Sequence, residues 1–259
     1  MNKNTFFLLI ISMLLLMQNV QAYPIVVTDC LGNEVTIEKA PEKIVSLIPS
    51  NTEILFAVGA GENVVGVTEH CDYPVEAMKI STVGGYAGFS TEKILDLEPD
   101  LVLAETGNGE DTINNLCELG LTVVTLESKT VGDILDNIIL VGNITGNEKQ
   151  ALETVEEMKQ SIDVIEEQTN PLSDSERPRA LYLVSFEPMY VAGAESFPDS
   201  LIEIAGGKNI VEAEGWPILS PEEVVDKDPE IIICSGMGGY GEVVKEQVLA
   251  NSLLSETSA

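Results

Sequence analysis

The segment Val26–Thr68, VVTDCLGNEVTIEKAPEKIVSLIPSNTEILFAVGAGENVVGVT, constrains the fold more than any other part of the chain. It opens with a short two-stranded lead-in around Leu31-Gly32-Asn33, and Lys43–Ile48 then reads as a buried strand. A sharp turn at Pro49-Ser50-Asn51-Thr52-Glu53 opens an apolar helix, and Val64–Thr68 reads as the next strand. Strand, capped helix and strand make a βαβ unit. That topology favours a parallel sheet with ligands at the carboxyl ends of its strands.

What precedes this segment bears on compartment. A lone Lys3, the apolar run Phe6–Met17 and then Gln18-Asn19-Val20-Gln21-Ala22 have the layout of an export signal cut after Ala22. The run is shorter than the ~20 residues of a membrane span. No Cys stands at the cleavage position, so a lipoprotein anchor is not evident. The mature chain is expected on the periplasmic or extracellular face of the cytoplasmic membrane. With 13 Lys+Arg against 43 Asp+Glu among 259 residues, the formal net charge is −30. Such a charge repels phosphate backbones and anionic lipid heads, which excludes nucleic acid and membrane surfaces as expected partners. A solvated acidic surface accounts for the charge, and attraction of a cationic ligand or an Arg-bearing partner is the sharper alternative. In an exported chain the four cysteines permit disulfides. Cys117 and Cys234 read as small core residues, and a Cys30–Cys71 pair stays open.

The chain repeats itself. Thr91–Thr106, TEKILDLEPDLVLAET, aligns without a gap on Pro221–Gly236, PEEVVDKDPEIIICSG, each a short amphipathic helix, an acidic-Pro break and an apolar strand. Ile54–Val65 and Leu201–Val211 echo each other as a helix that ends at glycine and feeds a strand. Two α/β lobes follow, at 23–135 and 173–259. The region between them, 136–172, carries one long helix over Asn147–Asn170, with its apolar stripe at Ala151, Val155, Met158, Ile162 and Ile165. The first lobe has a strand at Leu121–Leu126 with no counterpart after the helix Glu242–Leu249, so the second lobe reads as truncated at its carboxyl end.

Catalytic chemistry has little to draw on. His70 is the single histidine, and no G-x-S-x-G elbow accompanies it. The rival reading is an exported enzyme that uses the His70-Cys71-Asp72 loop. A dedicated zinc or manganese site wants several imidazoles, which one histidine cannot supply. The G-x-G-x-x-G match at Gly236–Gly241 is followed by only 18 residues, too few for the next strand of a dinucleotide fold, and reads better as a cleft loop. Strand-end loops of the first lobe supply His70, Tyr86 and Glu105, and those of the second supply Phe186, Tyr190, Trp216 and Tyr240. Aromatic rings gathered on such loops suit a large, flat, partly apolar ligand. The alternative is that each ring packs into its own lobe.

The order of residues from Val26 to Ser255, and above all SNTEILFAVG and WPILSPEEVV, resembles the binding proteins that feed ABC importers for vitamin B12, ferric siderophores and haem. The resemblance implies two Rossmann-like α/β lobes bridged by one long helix, acting as a monomer that presents its ligand to permease subunits. It implies no cofactor beyond the transported metal chelate. It also implies that Glu53 and Glu222, one per lobe, pair with arginines of the permease, whereas first-turn acids otherwise only favour a helix dipole or complete a cap. In the vitamin B12-binding members aromatic residues stand where this chain has His70, Tyr86 and Trp216. His70 and Glu105 depart from that pattern, which leaves room for an iron chelate or haem.

Overall fold

The computed structural model describes residues 23–85, 88–236 and 240–259, and the expected export signal lies outside them. Strands β1 (Ile25–Thr28) and β2 (Glu34–Ile37) form an antiparallel hairpin. The buried Asp29 closes it by accepting from the N–H groups of Leu31 and Asn33. The first sheet contains β3 (Ile44–Ser46), β4 (Val64–Thr68), β5 (Ser81–Gly85), β6 (Gly88–Phe89), β7 (Leu101–Glu105) and β8 (Val123–Leu126). Its order is β6-β5-β4-β3-β7-β8, parallel except for β6.

Covered on both faces, the central strands are apolar throughout, as parallel sheets require. Ile44, Leu101, Leu103, Val124 and Leu126 face α1 (Pro49–Ala57) and α4 (Val131–Thr145), while Val45, Val102, Ala104 and Val123 face α2 (Thr91–Asp96) and α3 (Glu110–Glu118). This is the period-two alternation of a strand. The chain runs β3, β4, β5 in one direction and then crosses to β7 on the other side of β3. That reversal creates a crevice at the carboxyl ends of β3 and β7.

Helix α5 (Glu148–Thr169) crosses to the second lobe over 22 residues. Ala151, Val155 and Met158 pack in the first core, and Ile162 and Ile165 line an apolar groove with Phe197 and Leu201 of α6 (Phe197–Ile204). At its far end Thr169 Oγ1 donates to the Ile204 carbonyl at 2.8 Å. The 15-residue α4 that precedes it has no counterpart in the sequence reading. Its signals are the Thr130–Asp133 capping box and Gly146 in the left-handed region at its end. Gly142 of α4 lies against Ala151 of α5 so closely that a Cβ there would overlap the alanine methyl.

In the second sheet β9 (Arg179–Phe186) is central. β12 (Ile231–Cys234) flanks one edge in parallel, and the other edge is shared by β11 (Lys208–Asn209) near its start and antiparallel β10 (Met189–Val191) near its end. Helices α7 (Pro221–Lys227) and α8 (Gly241–Ala250) supply Val224 and Val244 to a core with Leu181, Leu183, Met189 and Val191. After β12 the described residues add α8 and a short 3₁₀ turn at Leu254–Glu256, and no further strand.

The internal repeat extends to the backbone. Ser90 and Ser220 cap α2 and α7 by accepting from the third N–H of each helix. Each helix is followed by an acidic residue with positive φ, Glu98 at 48° and Asp228 at 45°, and then by proline. The acid beyond the proline caps the neighbouring strand. Asp100 accepts from the N–H groups of Glu42 and Lys43, and Glu230 accepts from that of Arg179. Lys43 pairs with Glu98 at 3.3 Å and Arg179 with Asp228 at 3.0 Å. The cysteines follow expectation only in part: Cys234 packs against the second core. Cys117 lies on the exposed face of α3, where only its neighbours Ile113 and Leu116 point inward. Cys71 is buried and Cys30 exposed, and neither is bonded to another cysteine.

Burial pushes the Asp100 carboxyl up, but the Lys43 and Glu42 N–H groups and Lys39 outweigh it and hold Asp100 below the ordinary aspartate range. A depressed folded-state value stabilises the fold above the unfolded value of about 4 and loses that contribution as pH falls through the folded one. Chemical denaturation from pH 7 down to pH 3 will therefore show a smaller acid-induced loss of stability in Asp100→Asn than in the parent. Thermal melts will separate two alanine substitutions. Gly142→Ala will cost about 1–3 kcal/mol by overpacking against Ala151, whereas Gly132→Ala, whose Cβ meets only ordinary contact, will not destabilise.

Candidate functional site

At the crevice between β3 and β7 two buried asparagines tie the strand ends together. Asn51 of α1 donates to the Ala104 carbonyl at 2.9 Å, and Asn108 donates to the Leu47 carbonyl at 3.2 Å while accepting from the Glu105 N–H at 2.9 Å. The sequence reading passed over both; their signal is polar side chains immediately after apolar strands. Glu105 itself is turned onto its own 3₁₀ turn, accepting from the Thr106 hydroxyl and the Gly107 N–H. Its carboxylate is therefore engaged locally.

His70 follows β4 with its side chain 43% exposed, and its Nε2 lies 3.9 Å from Glu69 Oε1. Cys71 points the other way. Its sulfur is 3.2 Å from the hydroxyls of both Thr52 and Thr68, in the core beneath the sheet ends, and the residue is 4% exposed. His70 and Asp72 are exposed to solvent and the thiol is not, so the three do not form one reactive loop. Nor is Cys30 a nucleophile. Burial and the carboxylates of Asp29, Glu127 and Glu105 push its thiol up to about 11, which keeps it protonated near neutral pH. Tyr86 lies outside the described residues, as do Met237–Gly239 of the glycine-rich loop.

In the second lobe Phe186 is partly buried and packs against the core. Tyr190, Trp216 and Tyr240 are different, being 41%, 50% and 65% exposed. Trp216 is carried by a loop pinned to the strand that bears Tyr190. Gly193 donates to the Gly215 carbonyl at 2.8 Å, Gly215 to that of Ala194 at 2.9 Å, and Val191 to that of Pro217 at 3.1 Å. A Cβ at Gly193 would overlap the Ala213 carbonyl, so this close approach requires glycine. The second lobe thus presents the Tyr190 and Trp216 rings on hydrogen-bonded backbone at the β10 edge of its sheet. Among the described residues no group of three or more His, Cys, Asp or Glu is placed to hold a metal ion.

Glu53 and Glu222 occupy unlike positions. α1 begins at Pro49, so the expected turn is already helical and Glu53, fifth in the helix, lies beyond the first turn. The dipole and cap explanation does not apply to it. Glu222 is in the first turn of α7, but the reciprocal cap is made by Ser220 with Glu223. Neither Glu53 nor Glu222 has a side-chain hydrogen bond or ion pair among the described residues.

Two α/β lobes, each built on its own sheet, are joined by one long helix. Over residues 44–259 the sequence matches the family model described as periplasmic binding protein, and the chain belongs to that family. It is 34% identical over 222 residues to the uncharacterized ABC transporter substrate-binding lipoprotein YvrC of Bacillus subtilis, covering 83% of this chain and 70% of that one. The fold matches the periplasmic vitamin B12 binding protein BtuF of Vibrio cholerae with a TM-score of 0.73 and 29% identity, over 85% of this chain and 84% of that one. A possible iron-binding (periplasmic solute-binding) protein of Staphylococcus epidermidis matches at TM-score 0.68 and 29% identity, over 85% and 87% of the two chains.

The capping geometry separates adjacent glutamates. Glu223→Ala will lower the melting temperature by removing the reciprocal cap, whereas Glu222→Ala will leave it unchanged.

Proposed function

We propose that this protein is the extracytoplasmic substrate-binding component of an ABC importer and that it carries a metal chelate, such as a ferric siderophore, cobalamin or haem. One observation carries the choice of ligand class. Tyr190, Trp216 and Tyr240 expose ring area that no core uses, and Tyr190 and Trp216 stand on backbone segments hydrogen-bonded to each other. Rigid rings cover a large, flat, partly apolar molecule at low cost in side-chain entropy. The relatives support the same reading. The B. subtilis protein is a substrate-binding lipoprotein of an ABC transporter, and the matching V. cholerae structure is a vitamin B12 binding protein.

In this reading the ligand sits between the lobes, against His70, Tyr86 and Glu105 on one side and the second-lobe aromatics on the other. The ligand biases lobe closure by its differential affinity for the closed form. The loaded protein then docks on the permease through Glu53 and Glu222, whose carboxylates have no partner within the described residues and suit guanidinium groups of the membrane subunits. Hydrolysis of ATP belongs to the transporter.

Titration of the purified protein with cobalamin, haemin and a panel of ferric siderophores, followed by emission of the single tryptophan, tests the ligand class. Saturable quenching by one of them is expected. Tyr190→Ala will then weaken binding of that ligand about ten-fold, which corresponds to 1.4 kcal/mol. A flat response from folded protein to every compound overturns the metal-chelate assignment.

A further inference from the structure

Ile218 differs from the other exposed apolar residues of the second lobe in what it is paired with. The segment 216–219 runs antiparallel to β10, and Tyr190 lies directly opposite Ile218. Leu219 donates its N–H to the Met189 carbonyl and Val191 donates to that of Pro217, each at 3.1 Å. Those two bonds flank the Tyr190–Ile218 pair, so the pair is of the non-hydrogen-bonded kind. In such pairs the opposed Cα atoms are only about 4.5 Å apart and the side chains approach most closely.

Burial alternates along both segments. On β10, Met189 and Val191 are buried and Tyr190 is 41% exposed. On the other segment Leu219 packs against the second core and Pro217 is half-buried, while Trp216 and Ile218 are 50% and 55% exposed. Alternate residues of an extended segment share a face and lie roughly 7 Å apart. Trp216 and Ile218 therefore share the outer face, and cross-strand pairing brings Tyr190 onto it. The result is one uncharged strip with Ile218 between two rings. All three side chains stay exposed although the pairing gathers them. Contiguous apolar area, as opposed to scattered single residues, marks a surface that something covers.

We infer that Ile218 is a ligand-contacting residue that sets specificity, and that Trp216, Ile218 and Tyr190 together receive the apolar face of the carried chelate. The occupant is that ligand because the strip is continuous with two of the rings proposed to hold it. A branched aliphatic group between two rings offers area without charge. The strip thus favours the flat or hydrocarbon face of a chelate and disfavours an edge bearing carboxylates, whose desolvation nothing there offsets. This rests on the ligand reading above and adds to it a third residue and an orientation for the ligand.

Isothermal titration calorimetry with cobalamin, haemin and a panel of ferric siderophores tests it, since heats do not depend on the emission of Trp216. The compound that binds the parent is expected to bind Ile218→Ser about ten-fold more weakly, and Ile218→Asp more weakly still, with melting temperatures unchanged. Leu152→Ser, which removes a side chain of similar exposure (52%) from α5, is expected to bind like the parent. Parental affinity in both Ile218 variants, with Tyr190→Ala weakened, would overturn the inference and leave the ligand reading standing. Parental affinity in Ile218→Ser, Tyr190→Ala and Trp216→Ala alike, or no heat from any compound with the parent, would overturn both. A loss of affinity in the Ile218 variants that comes only with a fall in melting temperature would assign Ile218 to stability and overturn the inference alone.

Discussion

Both lobes depend on the same junction, in which an acidic residue beyond a proline caps the start of the neighbouring parallel strand. In the first lobe Asp100 takes the N–H groups of Glu42 and Lys43, and in the second Glu230 takes that of Arg179. The left-handed residue before each proline turns the chain from helix into strand, and its carboxylate neutralises the base at the head of the partner strand. Parallel strands have no hairpin to set their register, so the register must be imposed at strand ends. The junction does this for β3 with β7 and for β9 with β12. Asp228 also accepts from the backbone and hydroxyl of Ser258, which ties the last described residues to the same point.

With the strand starts fixed, the carboxyl ends are free to carry function. In the first lobe they are stitched by Asn51 and Asn108 and by the Thr52–Cys71 contact. The helix bearing Glu53 and the loop bearing His70 are thereby parts of one buried network, with Ser46, Thr52 and Thr68 all inaccessible to solvent. In the second lobe the corresponding rigidity comes from backbone pairing between the end of β10 and the Trp216 loop. Helix α5 links the lobes through close packing, methyl against glycine at one end and Thr169 against Ile204 at the other.

Much of this was legible from periodicity and punctuation. Val64–Thr68 and Ile231–Cys234 read as strands with their observed limits, because apolar runs bounded by Gly and Pro have few alternatives. The stripe on 147–170 located the bridging helix to within a residue at each end. The gapless repeat placed helix, break and strand correctly in both lobes. Helix α4 was not assigned as an element, although Ile138, Val141 and Ile144 recur at helical spacing on its buried face. The start of α1 was read too late because Pro49 looks like a turn residue, although proline is well suited to the first position of a helix. Site residues were harder. Exposed aromatics could be listed from strand-end positions, but nothing in the order of letters separates Phe186, partly buried against the core, from Trp216, left at the surface.

The sequence by itself determined the fold class, the number of lobes, the helix between them and the absence of a histidine-rich metal site, since these follow from local periodicity and composition. Tertiary structure alone decided which polar groups are engaged and which remain available. It turned Glu105 onto its own backbone, sank Cys71 beneath two threonines, and assigned the α7 cap to Glu223 and not to Glu222. Those outcomes depend on which residues distant in sequence become neighbours. Hydrogen bonding and burial act across that distance, and periodicity within a segment carries no record of it.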